Sequence, residues 1–444
     1  MERRLLIALT VTFAYGQDSL ALRDAVRQAM ARSKILEASA AASDATVARI
    51  TEANSGRLPK VNYSESWTRS DNPVFVFSSL LTQRRFSREN FDLAALNRPD
   101  FANNFRSVLS ADQPLYDAGN TKRSTRIAKF RRDISRADLR RSEMEVIATV
   151  VRLYYDAKLG REQVKLSAQA MRSAEADLQR AEARRDSGMA TDADVLSIRV
   201  HMAMIREQQI RHSALVTVAD AALNDAMGSD LDVEHLLTTA LAPLPLPQME
   251  PVGLERTAID VHPDTRQTRL AEEITKIEAA NARSLLLPQI ALHGAFEAAR
   301  QQPINRGGSN WLVSIGLQWN LFNGNADKAR IAEAHAMTRN AAADRSRSES
   351  AIRLRVREAW ANLKAAQQRI DSARAPVAEA QESLRISQNR FASGLATVTD
   401  LLRTEVALLE TQTRYAAAVH DQRIAAAMLD LAAGTLNPES EVLH

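Results

Sequence analysis

The chain repeats itself. Ser187-Gly188-Met189-Ala190-Thr191, with Asp194-Val195-Leu196 after it, returns as Ser393-Gly394-Leu395-Ala396-Thr397 with Asp400-Leu401-Leu402, at a fixed offset of 206 residues. Leu115-Tyr116-Asp117-Ala118-Gly119 is echoed by Leu321-Phe322-Asn323-Gly324 at nearly the same offset. Leu58-Pro59-Lys60-Val61 and Leu287-Pro288-Gln289-Ile290 lie 229 apart instead, so one connection is longer in the first half. Motifs duplicated in one order restrict the chain to two copies of a single supersecondary unit. Pro243, Pro245, Pro247 and Pro251 make the segment 243–252 a stiff extended linker between them. The expected organisation is a first repeat over 17–242, the linker, a second repeat over 253–436 and a tail at 437–444.

Each repeat reads helix, strand, loop, strand, long helix, tight turn, long helix. In the second, Ile352, Val356, Ala359, Leu363, Ala366, Ile370, Ala373, Val377, Ala380 and Leu384 step by alternating four and three, a heptad seam that calls for a coiled-coil partner. Pro376 falls inside this ladder and should kink or break it. The equivalent first-half positions keep the phase from Val146 to Leu178. Between Gly119 and Asp186 there is no Pro, and the one internal Gly is Gly160; an unbroken helix there would be roughly 100 Å long at about 1.5 Å per residue, and a break near Gly160 is the alternative.

The strands are expected at about 60–116 and about 288–322. Trp311, Val313, Ile315, Leu317, Trp319 and Leu321 alternate with mostly polar or small residues, as do Ile290, Leu292, Gly294 and Phe296. Val61, Tyr63 and Trp67 do the same in the first half, where Glu65 interrupts the apolar face. Runs of about 10 to 12 residues match a tilted bilayer crossing, and Trp67, Trp311 and Trp319 near the strand ends suit an interfacial aromatic girdle. Four strands cannot close a barrel, and lipid does not tolerate open sheet edges, so a membrane reading requires several copies of the chain. The 73–104 connection is unusually long: a mobile surface loop, or a segment that folds back over the outer mouth or adds contacts between protomers.

The turns between the long helices carry the clearest local chemistry. Gly188 and Gly394 supply the left-handed residue that ends a helix. Thr191 and Thr397 follow three residues later, and Asp194 and Asp400 three after those, a Thr-x-x-Asp capping pattern that starts the next helix.

Composition narrows the function. Lys and Arg number 58 against 54 acidic residues, interspersed rather than clustered, so no nucleic-acid face is expected. With no cysteine there is no disulfide, no thiolate site and no Cys-linked lipid. The eight His fall at no metal spacing, and no phosphate loop or nucleophile elbow is present, so neither an enzyme nor a cofactor is expected. Met1-Glu2-Arg3-Arg4, the apolar run Leu5 to Ala14, and Ala14-Tyr15-Gly16 read as a secretory signal over 1–16.

The Leu58-Pro59 and Leu287-Pro288 pairs, the Pro114-to-Gly119 segment and the twin stretches Gly188–Leu196 and Gly394–Leu402 together resemble the outer-membrane efflux proteins, the TolC-like channels, over nearly the whole chain after the signal. The resemblance implies a mainly α fold with a transmembrane β part: four strands and long antiparallel coiled-coil helices per protomer, duplicated internally. It implies a homotrimer with a 12-stranded barrel in outer-membrane lipid and a long periplasmic tunnel, docked at its helical tips by a periplasmic adaptor protein and an inner-membrane pump. Tip acids narrow the pore in such channels, and Asp194 and Asp400 fall on those positions. Arg403 stands where a second acid is common and is expected to pair with Asp400. Phe391 stands where some members have Tyr, which removes a gate hydrogen bond. The closest alternative is a periplasmic adaptor, which would carry one hairpin between β-rich domains rather than two, each with a strand pair.

Overall fold

The computed structural model describes residues 18–444; the expected signal segment lies outside the described residues. In chain order the elements are β1 (Asp18–Leu20), α1 (Leu22–Arg32), α2 (Lys34–Asn54), β2 (Lys60–Ser70), α3 (Pro73–Thr82), α4 (Leu93–Asn97), β3 (Ala102–Tyr116), α5 (Asn120–Asp186), α6 (Asp192–Met227), β4 (His235–Leu237), α7 (Pro251–Val261), α8 (Pro263–Ser284), β5 (Gln289–Arg300), β6 (Gly308–Gln318), α9 (Ala326–Ala392) and α10 (Val398–Ala433). They fall into two compact units: residues 18–41, 137–266 and 346–444 in a helical unit, and 42–136 with 267–345 in a unit built around a sheet.

In the helical unit the heptad seam is the buried one. Ile352, Val356, Leu363, Ala366 and Ile370 are at most 3% exposed. Val150, Ala157, Ser167 and Ala174 are buried on the matching seam of α5. Helix α5 runs 67 residues without a break, so the alternative of two stacked helices is not realised. The reason for Gly160 is proximity. A Cβ there would meet Val216 Cγ2 of α6 at 2.9 Å, so glycine lets the two helices approach closely. Helix α9 is also 67 residues long and passes through Pro376, so of the expected kink or break the break is not realised. Proline removes one bond from the ladder, and the flanking seam residues Ala373 and Val377 stay partly buried, so packing carries the helix through.

The largest core of this unit joins α1, α5 and α6 around Tyr154 and Tyr155, both fully buried. Tyr154 donates its hydroxyl to Leu20 O at 2.9 Å and accepts from Thr239 N at 2.9 Å. It thereby pins the parallel β1–β4 pair, which three residues per strand could not hold alone. The Pro-rich segment is pinned by α10: Gln422 accepts from Leu244 N and donates to Leu244 O, and Arg423 Nε donates to Ala242 O at 2.6 Å.

In the other unit the sheet order is β2-β3-β5-β6, antiparallel throughout. β6 ends at Gln318, earlier than the alternation suggested, so Trp319 and Leu321 lie beyond it. The chain there turns into α9, with Asn320 Nδ2 donating to Asp327 Oδ2 at 3.0 Å. The long first connection folds. Asn72 accepts from Val74 N and Phe75 N and starts α3 with Pro73 in its first turn. Phe77, Phe86 and Phe91 pack edge to face at 4.8 and 5.1 Å. Gln83, 3% exposed, donates to Asn103 O and Asn104 Oδ1, which ties the insertion to β3.

Candidate functional site

The two helix turns are built alike. At the first, Met189 N bonds Arg184 O and Gly188 N bonds Arg185 O, both at 2.8 Å, with Gly188 at φ +75°. At the second, Leu395 N bonds Arg390 O at 2.8 Å and Gly394 N bonds Phe391 O at 3.0 Å, with Gly394 also at φ +75°. This paired closure satisfies the last carbonyls of a helix and needs a left-handed residue, which glycine adopts freely. Thr191 then caps α6, accepting from Asp194 N at 3.3 Å while Asp194 accepts from Thr191 N at 2.9 Å. Thr397 caps α10 identically, accepting from Asp400 N at 3.2 Å while Asp400 accepts from Thr397 N at 3.3 Å. Each acid lies in the first turn of its helix, where the helix dipole favours negative charge. The hydroxyl and backbone N–H of Thr397 hold the Asp400 carboxyl below the usual carboxylate range. Asp400 is thus an exposed, ionised group near physiological pH.

One expectation for this region changes. Among the described residues Arg403 closes no ion pair with Asp400; both side chains are exposed, and water separates such charges at little loss. Phe391 is 4% exposed and belongs to a small core with Ala181, Val195, Ile198, Val398 and Leu401. The Arg184 guanidinium stands 5.2 Å from its ring centroid and donates to its carbonyl. That core is how α5, α6, α9 and α10 meet near the turns: the tip of one hairpin packs on the tip of the other.

The sheet has two chemically different faces. Because side chains alternate, Val61, Tyr63, Trp67, Phe105, Leu109, Leu292, Phe296, Trp311, Val313, Ile315 and Leu317 share one face. Its Trp67 stacks on Phe105 at 6.2 Å, and Trp311 lies opposite Phe296. Trp67 is 60% and Trp311 79% exposed, an apolar area far beyond ordinary surface practice. Trp319 is 54% exposed and donates its indole N–H to Leu286 O at 3.0 Å. The other face carries Arg106 paired with Glu297 and His293 paired with Asp112, each at 2.7 Å. Glu65, the acid on the apolar face, accepts from Tyr63 Oη at 2.7 Å and from Arg300 Nη2 at 2.9 Å.

No helix among the described residues is long and apolar enough to cross a membrane. Nor do the described residues contain a group of three or more His, Cys, Asp or Glu placed to hold a metal ion.

The outer membrane efflux protein family matches residues 25–229 and 255–435. The alkaline protease secretion protein AprF of Pseudomonas aeruginosa is 24% identical over 404 residues, spanning 86% of this chain and 77% of AprF. The protein CyaE of Bordetella pertussis is 24% identical over 72% of this chain and 69% of its own length. Among solved structures, the Campylobacter jejuni CmeC outer membrane channel superposes with a TM-score of 0.79 at 16% identity, covering 95% of this chain and 87% of CmeC. The outer membrane protein VceC of Vibrio cholerae superposes with a TM-score of 0.76 at 17% identity, covering 93% and 96%. AprF is by name a secretion protein and CmeC an outer membrane channel. A family match over most of the chain, a fold shared with the TolC-like channels, and a sheet with one lipid-compatible face place the chain in the outer membrane efflux protein family, as an outer-membrane exit duct with a periplasmic extension.

Proposed function

We propose that three copies of the chain form a passive duct, closed at rest where the two hairpins of each copy turn, through which cargo leaves the cell. The observation that carries this is the sheet. Among the described residues its outer strands β2 and β6 each leave one edge unpaired, and its apolar face is exposed. An open edge in hydrocarbon leaves backbone groups unsatisfied at several kcal/mol each, so the edges must pair with other copies. The order β2-β3-β5-β6 makes β6 antiparallel to β2, so β6 of one copy beside β2 of the next continues the alternation. Three copies give about 12 strands, inside the range of closed outer-membrane barrels.

Asp194, Asp400, Thr191, Thr397, Gly188 and Gly394 shape the closed end, with Arg403 beside it. Three-fold symmetry gathers three Asp400 carboxylates, which attract cations and repel anions. A periplasmic adaptor and an inner-membrane pump engage these turns, with the capped helix ends as a rigid docking surface. Trp67, Trp311 and Trp319 mark the membrane interfaces. The precursor loses residues 1–16 on export and carries no lipid. The AprF likeness favours a secreted polypeptide as cargo.

The absence of native cysteine makes closure simple to test. Ser64→Cys on β2, combined in turn with single cysteines along β6, should give at least one pair that oxidises to covalent dimers and trimers in outer membranes. If no pair along β6 yields species larger than one chain, the closure between copies is wrong.

A further inference from the structure

Within the helical unit, three ionisable side chains from three helices converge away from solvent: Asp177 of α5, His201 of α6 and Glu405 of α10. Asp177 has no exposure, Glu405 7% and His201 8%. Arg180 pairs with Asp177 Oδ1. Ser173 donates to Glu405 Oε1 at 2.9 Å and accepts from Gln388 of α9 at 3.2 Å. His201 Nε2 lies 3.3 Å from Glu405 Oε2. Three buried atoms are nonetheless left without an aligned hydrogen bond: Asp177 Oδ2, His201 Nε2 and Glu405 Oε2. The other charges nearby are spoken for. On α9, Glu382 and Arg385 pair with each other at 2.6 Å, and Arg199 of α6 pairs with Glu182 of α5 at 2.8 Å. Ionised carboxylates are acceptors only, so two of them buried in one cluster, each with an oxygen left without a donor, favour a proton held between them.

We propose that Asp177 and Glu405 share one proton, and that this proton is a latch between the two hairpins: present, it ties α5 to α10; absent, like charges drive the hairpins apart and favour opening. His201 is the second donor to Glu405 and keeps its carboxylate in place. The idea rests on the reading that the channel closes at its helix turns.

The direction of the pH response follows from where the proton sits. Burial, then the Glu405 carboxyl, push Asp177 up from 3.8 to about 6. Burial would raise Glu405 as well, but the neighbouring His201, Asp177 and Ser173 hold it below its ordinary value, so the proton resides on Asp177. Once the hairpins separate, Asp177 regains water and its ordinary affinity. The packed state therefore binds the proton more tightly. Its advantage is complete below about pH 4 and is lost as pH rises through about 6. The difference is worth up to about 100-fold in the ratio of closed to open tips per protomer.

The test is open probability of the purified full-length channel in planar bilayers from about pH 4.5 to about pH 7.5. Wild type should open more as pH rises, with a midpoint near 6. Asp177→Asn, whose amide donates permanently and cannot titrate, should stay at the low-pH level throughout. Asp400→Ala, outside the cluster, should change cation preference while keeping the step. A flat wild-type profile, or an undiminished step in Asp177→Asn, overturns the latch. Should Asp177→Asn not assemble, hydrogen exchange on wild type decides: corrected for intrinsic rates, amides of 173–186 must exchange faster at pH 7 than at pH 5, and equal rates overturn the proposal. A missing step accompanied by a leak in Leu401→Ala removes the latch alone. If Leu401→Ala does not leak either, closure at the turns falls with it.

Discussion

Ile315→Arg is expected to empty the outer membrane of assembled channel, while Ser314→Arg, one residue away, should leave it in place. Ile315 lies within the apolar run of β6, 68% exposed, opposite Leu292 and flanked by Val313 and Leu317. Ser314 points to the other face, opposite His293. One step along a strand moves a side chain across the sheet. An arginine facing lipid in a barrel costs about 2–4 kcal/mol near the bilayer midplane, and the proposed trimer would carry it three times. The same arginine facing an aqueous lumen is solvated. Immunoblots of outer-membrane fractions measure the difference. Equal loss of both variants would mean that the apolar face is not the lipid face.

Leu401→Ala should leak. Leu401 has no exposure and sits in the small core where the two tips meet, with Phe391, Val195 and Ile198. A buried Leu→Ala change costs about 2–5 kcal/mol, the spread reflecting how well the site collapses. A cluster this small has few neighbours to fill the space, so the upper half of that range is expected. The consequence is a raised conductance of the resting channel and sensitivity of cells to large antibiotics that the outer membrane normally excludes. Leu401→Met, which conserves volume, should cost less than about 1.5 kcal/mol and stay tight. A resting conductance in Leu401→Ala equal to wild type would show that this core does not hold the channel shut.

The features legible in the sequence were those written into local spacing. The heptad seam from Ile352 to Leu384 is buried or half-buried along its length because a period of 3.5 can be satisfied only by a facing helix. The capped turns at Gly188–Asp194 and Gly394–Asp400 were readable because a left-handed glycine and a Thr-x-x-Asp pair act on their own backbone. Closeness in space left weaker traces. Pro376 looked like a break because local propensity omits the packing that carries α9 through it. Arg403 looked like a partner for Asp400 because helical spacing permits the pair, but two exposed charges gain little from forming it. The first long connection hid two helices whose anchors, Gln83 to Asn103 and Asn104, are contacts across the fold. Asp177, His201 and Glu405 had no sequence signal at all: they come from three separate helices, and only the packing of two hairpins brings them together.

The central claim is that one chain is an incomplete channel. The most direct measurement is the mass of the detergent-extracted mature chain by light scattering, with the detergent subtracted. Three chains per particle are expected, recovered from outer membranes only with detergent. A single chain that leaves the cell envelope without detergent would contradict it, because four strands with two open edges and an exposed apolar face could not then be a membrane sheet.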